Sequence, residues 1–198
     1  RDYTFDYEKQ PSRAMFKYKQ AFIRNDQERY MTFLNNVLQG KATLHADNVA
    51  PYELIRPYMT WNWNGPSLET MSKSEKDALN ASWASLPDFC SDEDMLAVVD
   101  TSGSMHSSYG LPAAVALSLG LYLAEHNKGR FRNHFIEFSE RPQLIRLKGE
   151  TFVDKLRYIL TFDEIADTNL EAVFQLILCV AVKNKLPQKE LPGKLVII

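Results

Sequence analysis

The sequence predicts an α/β fold in which a helical region, residues 1–90, precedes a mostly parallel sheet flanked by helices in residues 91–198. Three observations carry this reading. Apolar side chains up to Trp83 recur at helical spacing. Short apolar runs of strand length, beginning with Leu96-Ala97-Val98-Val99, occur only after residue 90. From there the runs alternate with helical segments, as βα units require. The chain has 198 residues, 45% of them hydrophobic, which is enough to bury a substantial core. Disordered, collagen-like and disulfide-stapled classes are excluded by the same composition.

Taken in order, Ser12 is the expected N-cap of a first helix over Ala14–Ile23, with Met15, Tyr18 and Phe22 as its apolar stripe. Asn25 and Glu28 have capping-box spacing and open a second helix carrying Tyr30, Phe33, Leu34 and Leu38, stopped at Gly40. A short helix at Pro51–Ile55 is followed by a loop holding Trp61, Trp63, Gly65 and Pro66. A third long helix runs from Ser72 through Trp83. Strand Leu96–Val99 leads into Asp100-Thr101-Ser102-Gly103-Ser104, and Pro112 belongs to the first turn of a helix over Leu111–His126. His134–Ser139 and Gln143–Leu147 read as a hairpin. Thr151 caps a helix through Ile159, a loop over Asp163–Asp167 precedes an apolar helix from Leu170 to about Val182, and Leu195–Ile198 is a final strand that reads as cut off in mid-sheet.

Charge is balanced. Residues 1–90 hold 11 basic and 11 acidic side chains, and residues 91–198 hold 12 and 14, so the basic excess of a dedicated polyanion binder is missing. Cys90 and Cys179 lie outside any CxxC or Cys/His cluster and are expected as free thiols of a cytoplasmic protein. No apolar stretch reaches the roughly 20 residues of a membrane span, and no membrane partner is expected.

The chemistry concentrates at Asp100. Ligands of open α/β sheets bind beyond the carboxyl ends of the strands, and Asp100 directly follows the first apolar run. Ser102 and Ser104 follow at two-residue spacing, with Gly103 allowing a tight turn. One carboxylate and two hydroxyls form an all-oxygen set of low charge, suited to Mg²⁺ or Mn²⁺ and unsuited to Zn²⁺ or copper. Such a cation keeps exchangeable positions, one of which a carboxylate from a protein partner can take.

Asp100-Thr101-Ser102-Gly103-Ser104-Met105 resembles the DxSxS motif of von Willebrand factor A domains, the first loop of their metal-ion-dependent adhesion site. That resemblance implies a second-loop Thr near the metal, for which Thr168 is in place, and a third-loop Asp whose position falls just beyond Ile198. It also implies the strand order 3-2-1-4, with the last strand as an exposed edge open to self-association. Phe5-Asp6-Tyr7-Glu8-Lys9, Pro11–Met15, Tyr52–Pro57, Trp83 and Asp167-Thr168-Asn169-Leu170 are similar to a family called domain of unknown function 2828, which joins a helical region to a von Willebrand A-like domain. In architecture the chain is distantly similar to the Ro/TROVE ribonucleoproteins.

Competing readings stand beside each of these. Asp100-to-Ser104 also suits a helix-capping turn, and Thr168 a helix cap. An aspartyl-phosphate enzyme needs partners that are missing: Ser102 stands where a second acid belongs, and Asp92, Glu93 and Asp94 precede the strand that bears Asp100 itself. No G-x-S-x-G elbow surrounds Ser102 or Ser104, and His45, His126 and His134 fall on separate elements, so no enzyme activity is expected. His106 suits either a partner-orienting role or the surface. Lys9, Arg13, Lys17, Lys19 and Arg24, with Tyr18, Phe22, Tyr30, Trp61 and Trp63, suit either a single-strand RNA face or an amphipathic helix with an aromatic core. The expected function is therefore a non-enzymatic, Mg²⁺- or Mn²⁺-dependent protein-binding module using Asp100, Ser102, Ser104 and Thr168. RNA binding of the Ro/TROVE type through the helical region is the alternative.

Overall fold

The computed structural model describes residues 5–59, 67–90, 94–162 and 168–198. Trp61, Trp63, Asp92, Glu93 and Asp167 lie outside the described residues. Helices α1 (Ser12–Asn25), α2 (Gln27–Leu38), α3 (Pro51–Ile55) and α4 (Lys73–Ala84) precede β1 (Met95–Asp100). Then follow α5 (Ser107–His126), β2 (His134–Phe138), β3 (Gln143–Arg146), α6 (Phe152–Ile159), α7 (Leu170–Lys183) and β4 (Lys194–Ile197). The strands form one sheet in the order β3-β2-β1-β4, as the resemblance implies. β1 runs parallel to β2 and β4, and β2 and β3 form the antiparallel hairpin.

Alternation along the strands assigns the two sheet faces. Ala97, Val99, Phe135 and Ile145 pack with α5, α6, α3 and α4 in one large core. Leu96, Val98, Ile136 and Phe138 pack on the opposite face with Val173 and Ile177 of α7. The large core crosses residue 90 without a break, joining Leu54, Leu79 and Trp83 to Leu117, Leu121 and Leu156. Helix α5 is apolar on nearly all sides because it is sandwiched between the sheet and α3, which accounts for its span-like composition. A smaller core of Tyr7, Met15, Tyr30, Phe33 and Leu34 holds α1 and α2 together, with Ala78 and Ala81 of α4.

Several local expectations change. Ser12 is buried inside α1, which starts behind Pro11 with no side-chain cap: Pro11, with φ fixed near the helical value, opens the turn instead. Tyr18 stands exposed beside the stripe that Met15 begins. The Asn25 capping box does not form. Asn25 donates to the Ala21 carbonyl, and Asp26, which precedes α2, spends its carboxylate on the Tyr7 hydroxyl at 2.8 Å and the Arg29 guanidinium at 3.0 Å. Ser72 and Thr151, by contrast, form complete capping boxes with Glu75 and Asp154.

Glu75 also carries a pH prediction. Hydrogen bonds from Gln20 and the Ser72 amide, with Lys19 nearby, hold its carboxyl below the usual glutamate range. A depressed folded value contributes stability above the unfolded pKa, lost as pH falls through the folded one. The stability difference between wild type and Glu75→Gln, followed by urea melts, is expected to be largest near neutrality and to shrink below about pH 4.

Candidate metal centre

Three segments converge where β1 ends. The Asp100 amide donates to the Ile198 carbonyl at 2.8 Å, so β4 reaches the same edge. Thr101 is buried, and its Oγ1 donates to the Phe162 carbonyl at 3.1 Å, tying the β1 loop to the turn that follows α6. His106 Nε2 donates to the Thr101 carbonyl at 3.1 Å. His106 is therefore a half-buried brace of the loop rather than a surface residue, and Thr101 is a positioning residue that sequence reading passed over. The one available signal was its place between Asp100 and Ser102, where alternation turns it inward.

The oxygen set is arranged by this frame. Asp100 Oδ1 accepts the Ser102 amide at 2.8 Å, an Asx-type turn that folds the loop back over the strand end. Oδ2 accepts no hydrogen bond among the described residues. Ser102 Oγ and Ser104 Oγ lie 3.2 Å apart. Neighbouring ligands in an octahedron with bonds of about 2.1 Å stand roughly 3.0 Å apart, so the spacing suits two cis ligands of Mg²⁺. Ser102 is half-buried and Ser104 exposed, leaving one side of the set to solvent. The donor chemistry of the three residues suits a hard cation, and the Ser102–Ser104 spacing is compatible with one.

Thr168 is exposed, two residues before the start of α7. Capping of that helix falls to Asn169, whose side chain accepts the Ala172 amide at 3.0 Å, so Thr168 is not the cap. Residues 163–167, between Phe162 and Thr168, lie outside the described residues. Phe162 sits against Thr101, and α7 must return across the sheet to deliver β4 parallel to β1. No hydrogen bond joins Thr168 to Asp100, Ser102 or Ser104.

Beyond the loop, Ser108, Tyr109 and Gly110 form a left-handed turn with φ of 53°, 57° and 68°, and regular helix starts after it with Pro112 in its first turn. Two successive non-glycine residues in this region are costly, and Tyr109 is fully presented to solvent. Tyr109 forms one wall of a cleft of about 450 Å³ whose other walls include Tyr52, Arg56 and Met59; none of the three loop oxygens lines it.

The RNA reading loses part of its surface. Tyr30 is buried, and Phe22 packs against Tyr7 and Tyr30 at centroid distances of 5.3 and 5.4 Å. Lys9 pairs with Asp6, while Arg13 donates to the Asn48 carbonyl and lies 3.9 Å from Glu53. These are the contacts of an amphipathic helix on an aromatic core. Cys90 and Cys179 are both free thiols.

A mostly parallel sheet with helices on both faces, and a loop bearing Asp100, Ser102 and Ser104 at the carboxyl end of an inner strand, defines an α/β protein. Residues 94–198 match the model of the family described as domain of unknown function DUF7788, and the chain belongs to that family. Residues 3–95 match the model described as domain of unknown function DUF2828. Asp167-Thr168-Asn169-Leu170 thus lies in the first of these matches and outside the DUF2828 match. Uncharacterized protein L728 of Acanthamoeba polyphaga mimivirus is 29% identical over 199 residues, covering 94% of this chain and 33% of its own length. The chain spans about one third of that relative. No solved structure matches.

Proposed function

We propose that this chain is a divalent-cation-dependent binding module with a von Willebrand A-like sheet, acting on a protein partner and not as an enzyme. The observation that carries the reading is the Ser102–Ser104 oxygen pair at 3.2 Å beside the Asp100 carboxylate, whose Oδ2 accepts no hydrogen bond among the described residues. Asp100, Ser102 and Ser104 would hold Mg²⁺ or Mn²⁺, with Thr168 as the further ligand offered by the neighbouring loop. The cation supplies coordination positions for an acidic side chain of the partner. Asp100 sets the charge, and its turn with the Ser102 amide keeps both serine hydroxyls on one side. Thr101, through its hydrogen bond to the Phe162 carbonyl, holds that loop against the turn that follows α6.

The test is a Mn²⁺ titration followed by electron paramagnetic resonance. One saturable site is expected, with a dissociation constant on the order of 10⁻³ M as befits a set with a single carboxylate. Asp100→Ala removes it. Asp100→Asn keeps an acceptor for the Ser102 amide and still loses most of the affinity, which separates charge from loop geometry. Circular dichroism melts of both variants should stay close to wild type, because the half-buried Asp100 side chain accepts only the local hydrogen bond from the Ser102 amide among the described residues. Absence of saturable binding in the wild-type chain, or equal binding by Asp100→Ala, overturns the proposal.

A further inference from the structure

The cleft of about 450 Å³ beside Tyr109 is lined, among the described residues, by one acid, one base and three aromatic rings. Tyr52 and Glu53 belong to α3, and Arg56 opens the short helical turn Arg56–Tyr58 that continues it. Arg56 therefore shares a face with both, three residues on from Glu53 and four from Tyr52. Phe16 of α1 and Tyr109 of the left-handed turn close other sides.

Glu53 and Arg56 are spaced to pair with each other, yet no ion pair joins them. Arg56 is half-buried and has no hydrogen bond or ion pair among the described residues. Glu53 Oε2 accepts the Ala50 amide at 3.0 Å, while Oε1 has only the exposed Arg13 guanidinium, 3.9 Å away. A half-buried guanidinium without an acceptor has given up hydration that a ligand anion restores. Tyr109 is 90% exposed on a backbone that is left-handed at two successive non-glycine residues. Strain of this kind persists at ligand clamps, where contact with the ligand offsets it.

We infer that this cleft binds a free aromatic α-amino acid. Its carboxylate accepts from the Arg56 guanidinium, its ammonium donates to Glu53 Oε1, and its ring lies among Phe16, Tyr52 and Tyr109. The ligand carries its two charges on one carbon, as the cleft carries its two on one helical turn. The charges of the lining sum to zero, so a phosphate ester would set two negative charges against Glu53. A peptide terminus offers one of the two charges and leaves the other side chain unmatched. None of the Asp100, Ser102 and Ser104 oxygens lines the cleft, so binding there needs no cation.

Isothermal titration calorimetry of the 198-residue chain with L-phenylalanine, L-tyrosine and L-tryptophan, in buffer holding a chelator, tests this. One saturable site is expected for at least one of them, with a dissociation constant on the order of 10⁻⁴ M. Phenethylamine, 3-phenylpropionate and L-alanine lack the carboxylate, the ammonium and the ring respectively, and each should bind at least ten-fold more weakly than L-phenylalanine. Arg56→Gln should lose at least ten-fold toward L-phenylalanine and nothing toward phenethylamine. Glu53→Gln keeps an acceptor for the Ala50 amide, and should lose affinity for L-phenylalanine and none for 3-phenylpropionate. Tyr109→Gly should weaken binding while raising the melting temperature of the free chain, because glycine adopts the left-handed conformation without strain. A tyrosine with a purely structural role would not give that pair of effects. Absence of saturable heat with all three amino acids, unaltered binding by Arg56→Gln, or tighter binding of adenosine monophosphate or inorganic phosphate than of any amino acid overturns the inference.

Discussion

Replacing Trp83 by alanine is expected to cost about 3–5 kcal/mol of stability, the range for removing a large aromatic side chain from a core. Trp83 sits on α4, but almost everything it touches belongs to the sheet half of the chain. Its ring stacks on Phe152 with centroids 4.1 Å apart and planes 12° from parallel, and it meets Tyr122 edge-on at 6.2 Å. Its Nε1 donates to Glu125 Oε2 at 2.6 Å, and the other oxygen of Glu125 receives the Lys155 ammonium at 2.6 Å. Alanine removes the stack and deprives a mostly buried carboxylate of one donor. Phenylalanine keeps most of the stack and removes only the donor, so Trp83→Phe should cost about 1–3 kcal/mol, the cost of an unmet buried hydrogen bond. Urea melts should show one transition for all three proteins, because α4 and the sheet share a core. A loss below about 1 kcal/mol in Trp83→Ala would show that the stack adds little to holding the two halves together.

That contact also shows where sequence reading stops. Leu96–Val99 and the loop after it were legible because strand signals are local: a short apolar run, then a carboxylate and small polar residues with turn chemistry. The helix start at Ser72 and the cap at Thr151 are legible for the same reason, while the capping boxes they complete with Glu75 and Asp154 are seen only in the structure. Asn25 was misread because Asp26 is claimed by Tyr7, 19 residues away, and no spacing rule sees that pairing. Burial across residue 90 is likewise a tertiary fact. The periodicity of α4 shows that Trp83 faces inward but not that it faces Phe152.

At the candidate site the division is similar. Asp100, Ser102 and Ser104 announce themselves as a motif, whereas the Thr101–Phe162 hydrogen bond that holds their loop in place joins residues 61 apart. Composition marks α7 as strongly apolar and says nothing about which of its rows the sheet leaves uncovered. That depends on where the helix crosses the strands. The left-handed turn at Ser108 and Tyr109 had no forerunner in residue type, since only Gly110 is suited to it.

Helix α5 crosses β1 at very close range at Gly120, and Gly120→Val is expected to cost about 3 kcal/mol, the upper end for overpacking a dense core. A β-carbon at Gly120 would fall onto the Cγ2 methyl of Val99, far inside van der Waals contact. Val99 is buried and β-branched, so its side chain has no other rotamer to move into without meeting its neighbours. Even Gly120→Ala, which gains about 1 kcal/mol of helix propensity, should come out destabilising, because the clash outweighs that gain. The check is a double-mutant cycle. Val99→Ala alone should lose about 1–3 kcal/mol to the cavity it leaves, whereas Gly120→Ala with Val99→Ala should lose less than the sum of the two single changes, since the added methyl enters the vacated space. Strict additivity would place the cost of Gly120→Ala somewhere other than this contact. Val99 directly precedes Asp100, so the overpacked Gly120→Val variant should also displace the site loop and weaken any Mn²⁺ binding, and the Val99→Ala partner substitution in the alanine pair should leave it near the wild-type value.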